Sequence, residues 1–476
     1  MVSIIFFIIT IVIAIILLSF MTLKLKMHPV ITLFITASII GLLTGHTIVE
    51  TMNLIKKYFG STLTGIGILI IFGATIASGI SDTGAATSIA NFFIKFFKGK
   101  NLELAPTLTG FIMSIPVFGD IAIVLNAPIS AILSKRKHIS MAVMAPIINI
   151  GLTLTHGLVP PTPGILAVAL ALNADIGQVI IWGLLCSVVS LVVSYLCLKP
   201  IFKRGEYIEP LEGFTEGVIP VGEDSSIDDL LIKEDNIPSA FMAFLPLLLP
   251  AIMIATGSFA KLLFDEQSLT YHICETIGDS TIALFVGIIA SAIMVYNRKA
   301  KVISKINEHG YNLPANASSL EIIFNNWIVR ALAISIGPLM ITAMGGAMGG
   351  ILRENEAINM IGSIVAKSAF PKLLIPFILS AVLMAVCGSM TTASITAASL
   401  IAPMINSLGI SPVTAALAIG SGSMVFWHVN NSGFWVFCSL YNFNSKQGLK
   451  YFTTANAFAG IIAFVTLCVL VFIGVL

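Results

Sequence analysis

The chain has 476 residues, 57% of them apolar and only 10% charged, against roughly 25% charged in a soluble protein, which excludes an ordinary soluble globule. Ten of its 23 acidic residues crowd between Glu206 and Asp235, so the rest is barer still and reads as membrane-embedded. A formal net charge of +2 without massed Lys and Arg removes nucleic acid as a partner, and six scattered cysteines without a CxxC pair suggest neither a disulfide framework nor a metal site.

Met1 to Phe20 is apolar, with no basic n-region and no small-residue cleavage pattern; it is expected to be a retained first span, not a signal peptide. A span takes roughly 20 residues. Runs near 3–22, 28–45, 60–81, 140–156, 177–198, 239–257, 279–296, 328–350, 412–427 and 453–475 predict about ten. Between them, Leu104 to Leu133, Val159 to Leu172, Leu373 to Ile405 and Phe434 to Leu440 are apolar but interrupted by Pro and Gly or by neighbouring breaks. Lipid cannot satisfy freed N–H and C=O groups, so broken backbone at membrane depth has to be buried in protein or line a wet cavity. The blander reading is Pro-kinked helices facing lipid, which tolerate these residues.

Cations at Lys24/Lys26, Lys95/Lys98/Lys100, Lys135/Arg136/Lys137, Lys199/Lys203/Arg204 and Arg298/Lys299/Lys301/Lys305 all fall on one side if the N-terminus is external, and that side is then cytoplasmic. Three parts result: a membrane half over 1–198, a solvated acidic cytoplasmic linker over 199–238, and a second membrane half over 239–476.

The halves resemble each other in the order of their features. Each has a Gly-rich span end, a short amphipathic segment, a Pro/Gly-broken hairpin with a proline-capped run (Asn126-Ala-Pro-Ile129; Ile401-Ala-Pro-Met404), and a span ending in histidine. Gly73 to His156 and Gly345 to His428 are both 83 residues apart. The topology puts the first amphipathic segment inside and the second outside, so the expected fold is an all-α integral membrane protein. It would have about 10–12 transmembrane helices, with re-entrant hairpins and broken helices in two inverted-topology repeats, the plan of secondary transporters.

Ionisable groups inside apolar runs are costly and become functional candidates. Asp120 follows Pro116 and Gly119, where a hairpin would turn; it either caps a half-helix or takes up a coupling proton or cation. His156, before Gly157 and two prolines, and His428 at the matching break are either core hydrogen-bonders or members of a proton relay. Asn126, Thr162, Ser389, Thr391, Thr392, Asn430, Asn431 and Ser432 bring hydroxyl and amide groups to the hairpins and breaks. Half-helix N-termini there suit an anionic head group, although small hydroxylated residues also mediate plain helix packing. Asp82 is a candidate for ion coupling or a cap for the next segment, and Arg330 and Arg353 are expected to snorkel. No Walker loop, zinc signature, nucleophile elbow or dinucleotide turn occurs, so the energy must come from an ion gradient and no cofactor is expected.

These motifs resemble the gluconate permease (GntP) family of the ion transporter superfamily: Lys26-Met-His-Pro29, Gly110-Phe-Ile-Met-Ser-Ile-Pro-Val-Phe118, His156-Gly-Leu-Val-Pro-Pro-Thr-Pro163, Asn173-Ala-Asp-Ile-Gly177, Thr396-Ala-Ala-Ser-Leu-Ile-Ala-Pro403 and His428-Val-Asn-Asn-Ser-Gly-Phe-Trp435. The resemblance implies a multi-pass cell-membrane permease, not an enzyme. It would import a small hydroxylated monocarboxylate such as gluconate, a related sugar acid or D-serine by proton symport, as a homodimer. The family pattern has a glutamate after Pro-Val-Phe-Phe, a histidine within Pro-Pro-His-Pro and an aspartate within His-Val-Asn-Asp; here Gly119-Asp120, Thr162 and Asn431 stand instead. The last two changes each remove a titratable group, so sodium stays open beside the proton as coupling ion. The rival readings are a sodium-coupled carrier or sodium/proton exchanger of the same superfamily and, from other classes, an intramembrane enzyme using His156, His428 and Asp120, or a channel.

Overall fold

The structure is a computed structural model. It describes residues 9–10, 13–14, 16–17, 20–21, 24–25, 27–116, 119–216, 218–222, 226–308, 310–354, 371–428 and 431–476. Among these residues all regular structure is helical. The first half comprises α1 (Pro29–Leu43), α2 (Ile48–Thr83), α3 (Ala85–Phe96), α4 (Leu104–Met113), α5 (Gly119–Lys137), α6 (Met141–Leu158), α7 (Pro163–Ala171) and α8 (Ile176–Lys203). The second comprises α9 (Ala240–Leu263), α10 (Leu269–Ile277), α11 (Ser280–Val295), α12 (Lys299–Glu308), α13 (Ile328–Arg353), α14 (Leu374–Cys387), α15 (Met390–Ile401), α16 (Pro412–Gly422), α17 (Ser432–Leu440) and α18 (Thr454–Phe472).

Local chemistry sets the boundaries. A reciprocal capping box, with Thr47 N–H donating to Glu50 at 2.8 Å and Glu50 N–H to Thr47 Oγ1 at 3.3 Å, starts α2. Gly84, at φ 75°, ends it, a left-handed conformation that glycine adopts without a Cβ penalty. Asp175 caps α8 by accepting from Gln178 N–H, and also accepts from Ser258 on α9 at 2.6 Å. Pro163 and Pro412 sit at the first positions of α7 and α16, where the missing N–H costs nothing.

Nine of the ten predicted runs fall on helices; the first lies partly outside the described residues. Among the described residues, five helices are able to cross a membrane by length and composition, or seven if the pairs bent by 45° within α2 and by 57° between α10 and α11 each count as one span. The predicted run 412–427 is shorter than expected, because α16 stops at Gly422 after 11 residues. The interrupted stretches become two hairpins, α4/α5 and α14/α15, and two half-helices, α7 and α17. The second repeat's amphipathic segment lies outside the described residues.

The two halves interleave. Helix α2 packs along α13, α7 of the first half packs on α15 of the second, and α17 of the second packs on α5 of the first; α18 lies against α6 and α8. Where α6 meets α16 the backbones touch: a Cβ on Gly420 would come within 2.3 Å of the Gly157 carbonyl oxygen. Close approach of this kind is how small residues let membrane helices associate.

The acidic stretch, expected as a solvated loop, exposes most of its described carboxylates and is tied down as a strap. Asn91 exchanges two 2.9 Å hydrogen bonds with the Ile232 backbone, and Arg136 and Lys137 donate to the carbonyls of Leu231 and Gly222. Glu234 accepts from Thr87 at 2.5 Å and pairs with Lys301 at 2.9 Å. Leu230 and Ile208 are buried, so the strap is held by apolar contact as well as polar contact. It therefore gathers α3, the end of α5 and α12 at one end of the bundle.

Burial alone would push the Glu234 carboxyl up, but the hydrogen bonds from Thr87 and Lys301 and the charges of Lys301 and Lys305 outweigh it and hold the group below the ordinary glutamate range. A carboxyl lowered by folding stabilises the folded state above its unfolded pKa of about 4.3 and loses that contribution as pH falls through the lower folded value. Proteolysis of residues 226–238 in wild-type protein should therefore accelerate below about pH 4.3. Glu234→Gln should be cut faster at neutral pH; a wild-type rate that stays flat into acid would remove this clasp.

Candidate functional site

The breaks in the four interrupted stretches adjoin one another. In the stretch from Val159 to Leu172, the carbonyl ends of α6 are freed at Val159 and the chain re-enters helix at Pro163. Buried Thr162 ties off the gap by donating its hydroxyl to the carbonyls of His156 at 2.8 Å and Val159 at 3.1 Å. His156 sits on the last turn of α6, 8% exposed, and its Nδ1 has no hydrogen-bond partner among the described residues. The start of α5 lies against its ring: a Cβ on Gly119 would be 3.6 Å from Cδ2. Asp120 is the second residue of α5, and its side chain lies outside the described residues.

On the other side, Gly388 at φ 63° ends α14, and Ser389 caps α15 by accepting from Thr392 N–H at 3.3 Å and from the Thr392 hydroxyl at 3.1 Å. Asn431 caps α17 by accepting from Phe434 N–H at 3.1 Å, while its amide donates to the Gly388 carbonyl at 2.7 Å. One buried side chain thus joins the break before α17 to the turn of the second hairpin. His428 is half-buried just before this point. Asn430 and the side chain of Ser432 lie outside the described residues.

The two groups of breaks meet. A Cβ on Gly164 would lie 3.6 Å from Thr391 Cα and 3.7 Å from its Oγ1, and one on Gly157 would run into the Met390 side chain. The N-termini of α7 and α15 are therefore neighbours, with the start of α5 beside His156 and the start of α17 tied to Gly388. Helix N-termini carry partial positive charge and free N–H groups, so their convergence suits an anion.

Asn126 is fully buried on α5, giving a 3.3 Å hydrogen bond to Ala122, while its Oδ1 has no partner among the described residues. Ser114 Oγ, at the end of α4, is likewise buried and unpartnered there. Ser114 was not singled out from the sequence, where it is one more small residue before a proline.

Asp82 and Arg330 depart from expectation. Asp82 does not cap α3, whose N-cap is Gly84 with no side-chain hydrogen bond. Instead it is fully buried, accepting from Trp327 Nε1 at 2.8 Å and from Arg330 at 2.5 Å. Arg330, 8% exposed, does not snorkel; a π-helical turn over Ile322–Trp327 leads into its helix, and its guanidinium lies over the Tyr311 ring at 5.4 Å. An arginine with a buried carboxylate to pair with has no reason to reach for the interface. The side chain of Arg353 lies outside the described residues.

A feature the sequence reading missed is a cavity of about 280 Å³ between α2, α13, α7 and α15. Its α2 wall is Tyr58, Ser61, Thr62 and Gly65. The spacing i, i+3, i+4, i+7 is one helical face, a polar stripe within an apolar run that periodicity counting would have found.

The chain is similar to two permeases, a solved transporter structure and one family pattern. A permease from Haemophilus influenzae is 33% identical over 435 residues, covering 90% of this chain and 84% of that one. A high-affinity gluconate transporter of Escherichia coli K12 is 27% identical, covering 92% and 93%. The crystal structure of the Alcanivorax borkumensis YdaH transporter superposes with a TM-score of 0.59 at 15% identity, covering 94% of this chain and 99% of that one, which shows a shared fold. The pattern of the GntP family permeases matches residues 6–473; with broken helices meeting at their N-termini inside a multi-pass membrane bundle, the chain is a secondary transporter and belongs to the GntP family.

Proposed function

We propose that this permease imports a small hydroxylated monocarboxylate, such as gluconate or a related sugar or hydroxy acid, across the inner membrane by proton symport. The observation that carries the reading is the meeting of the α7 and α15 N-termini, with Gly164 against Thr391. A carboxylate placed there takes up free N–H groups without a cation of its own, as anionic substrates do at broken helices in transporters. The order hairpin, span, break, half-helix recurs in both halves; the reading takes the two copies as inverted in the membrane, with the strap on the cytoplasmic side. Asp120, at the start of α5, is the proposed proton carrier.

The test is uptake of labelled gluconate into proteoliposomes. Accumulation should collapse with a protonophore and persist without sodium. Asp120→Asn should abolish accumulation while leaving gluconate counterflow intact, because exchange needs no net proton movement. Accumulation that follows sodium instead would assign the coupling to the rival carrier, a reading favoured by Thr162 and Asn431 being neutral. Full accumulation by Asp120→Asn would remove Asp120 from the mechanism.

A further inference from the structure

We infer that the near side of the cavity between α2, α13, α7 and α15 is a subsite for the hydroxylated tail of the substrate, and that Thr62 there sets the preference for long polyhydroxylated acids. This rests on the proposed function and names the part of the site that reads the substrate's chain.

The first argument is reach. From Pro163 to Ala167, which lines the cavity, helix α7 rises about 6 Å, and from Met390 to Ile395, also in the lining, α15 rises about 7.5 Å, at about 1.5 Å per residue. A six-carbon acid, with five C–C bonds of about 1.5 Å in zigzag, spans roughly 6–7 Å. A carboxylate held at the two helix starts therefore delivers the far end of such a molecule to the near side of the cavity, level with Ile395 and with Thr62, which faces Gly346 beside the Gly345–Ile395 contact. Ser399, about 13.5 Å along α15, and Tyr58 beside it lie beyond that reach, and a three-carbon acid stops short.

The second argument is hydrogen-bond polarity. Tyr58 donates its hydroxyl proton to Glu354 at 2.5 Å, Thr62 donates to the Tyr58 carbonyl at 2.8 Å, and Ser399 donates to the carbonyls of Gly345 and Ile395, each at 2.8 Å. A hydroxyl has one proton and two lone pairs, so all three present acceptor oxygens to the space. Acceptors receive the O–H groups of a polyol and repel a carboxylate. No Lys, Arg or His is among the described residues lining the cavity, and Glu354 stands just behind Tyr58. Ser61, Thr342 and Asn173 line the same space and carry groups that donate as well as accept, so a cation-free mixture of donors and acceptors suits a polyol tail better than the acid end, which stays at the breaks.

The third argument is access. On α13, Gly346 and Gly350 face Thr62 and Tyr58, and Gly345 and Gly349 face Ile395 and Ser399 of α15. A Cβ at Gly346 or Gly350 would come within about 2 Å of those α2 side chains. The glycines thus bring the acceptors of two different helices to one space.

The experiment compares the transport constants of gluconate and glycerate in proteoliposomes of wild type, Thr62→Val, Thr62→Ser and Tyr58→Phe, with thermal midpoints recorded for each. Thr62→Val should raise KM for gluconate about fivefold, the scale of one lost hydrogen bond, and leave KM for glycerate within about twofold of wild type, while Thr62→Ser, which keeps the hydroxyl, should restore the gluconate value. Tyr58→Phe, at the far side of the cavity with its hydroxyl on Glu354, should leave the ratio unchanged; a shift equal to that of Thr62→Val would overturn the placement of the tail. Equal losses for both acids, or no change for either, would overturn the subsite while leaving the proposed function standing. Wild-type protein that carries neither acid would overturn the proposed function and the subsite with it.

Discussion

Truncating Arg330 to alanine is expected to destabilise the folded permease by about 3–5 kcal/mol, because it leaves the buried Asp82 carboxylate without its counter-charge. Asp82 accepts from Arg330 and from Trp327 while fully shielded from solvent, and a lone buried charge costs far more than a lost contact. Asp82→Ala should cost a similar amount from the other side. The combined Asp82→Asn/Arg330→Met should recover much of the loss, since a buried ion pair replaced by apolar or neutral groups of similar volume is often close to neutral. Thermal unfolding in detergent followed across these variants measures the pattern. A pair whose two single losses simply add in the double variant would show that the charges do not couple. The pair joins α2 to the start of α13, so if the double variant folds but fails to transport, the pair serves the transport cycle in addition to stability.

Asn431→Ala is expected to raise the transport constant for gluconate by about tenfold to a hundredfold, and to lower the thermal midpoint as well. Two losses combine. The buried Gly388 carbonyl loses its donor, costing about 1–3 kcal/mol, and α17 loses its N-cap, costing about 1 kcal/mol. Both fall where the second hairpin turns and α17 begins, so the N-termini that would hold the acid shift relative to each other. Asn431→Asp separates the two terms. It still accepts from Phe434 N–H but as a carboxylate cannot donate to Gly388, so it should keep the cap and lose the tie. Wild-type KM and stability in Asn431→Ala would mean that neither bond matters to the site.

Much of the site was legible from residue order, and for a definite reason. Proline and glycine act on the backbone they occupy, so the interruptions at Gly119, at Pro160-Pro161 and at Gly388-Ser389 mark breaks wherever the chain folds. The readings that failed were about side chains. Asp82 looked like a cap because it precedes Gly84 by two residues, and Arg330 looked like a snorkelling cation because it lies near the start of a span. Their partnership links positions 248 residues apart, beyond any local pattern. The acidic strap keeps most of its described carboxylates exposed, but its ties to Asn91, Arg136 and Lys301 also join distant positions that no local pattern shows.

Composition and run length by themselves determined that this protein is a helical membrane bundle, since a lipid core admits long apolar helices and little else, and they determined where the helices break. Family membership was readable too, because its motifs cluster at those breaks. Only the tertiary structure decided which break meets which, that α7 of one half lies on α15 of the other, and that a space lined by hydroxyl and amide groups opens beside them. Those outcomes depend on close backbone approach at glycines such as Gly157, Gly346 and Gly420. What a glycine permits is set by the surface that arrives opposite it, which no stretch of local sequence specifies.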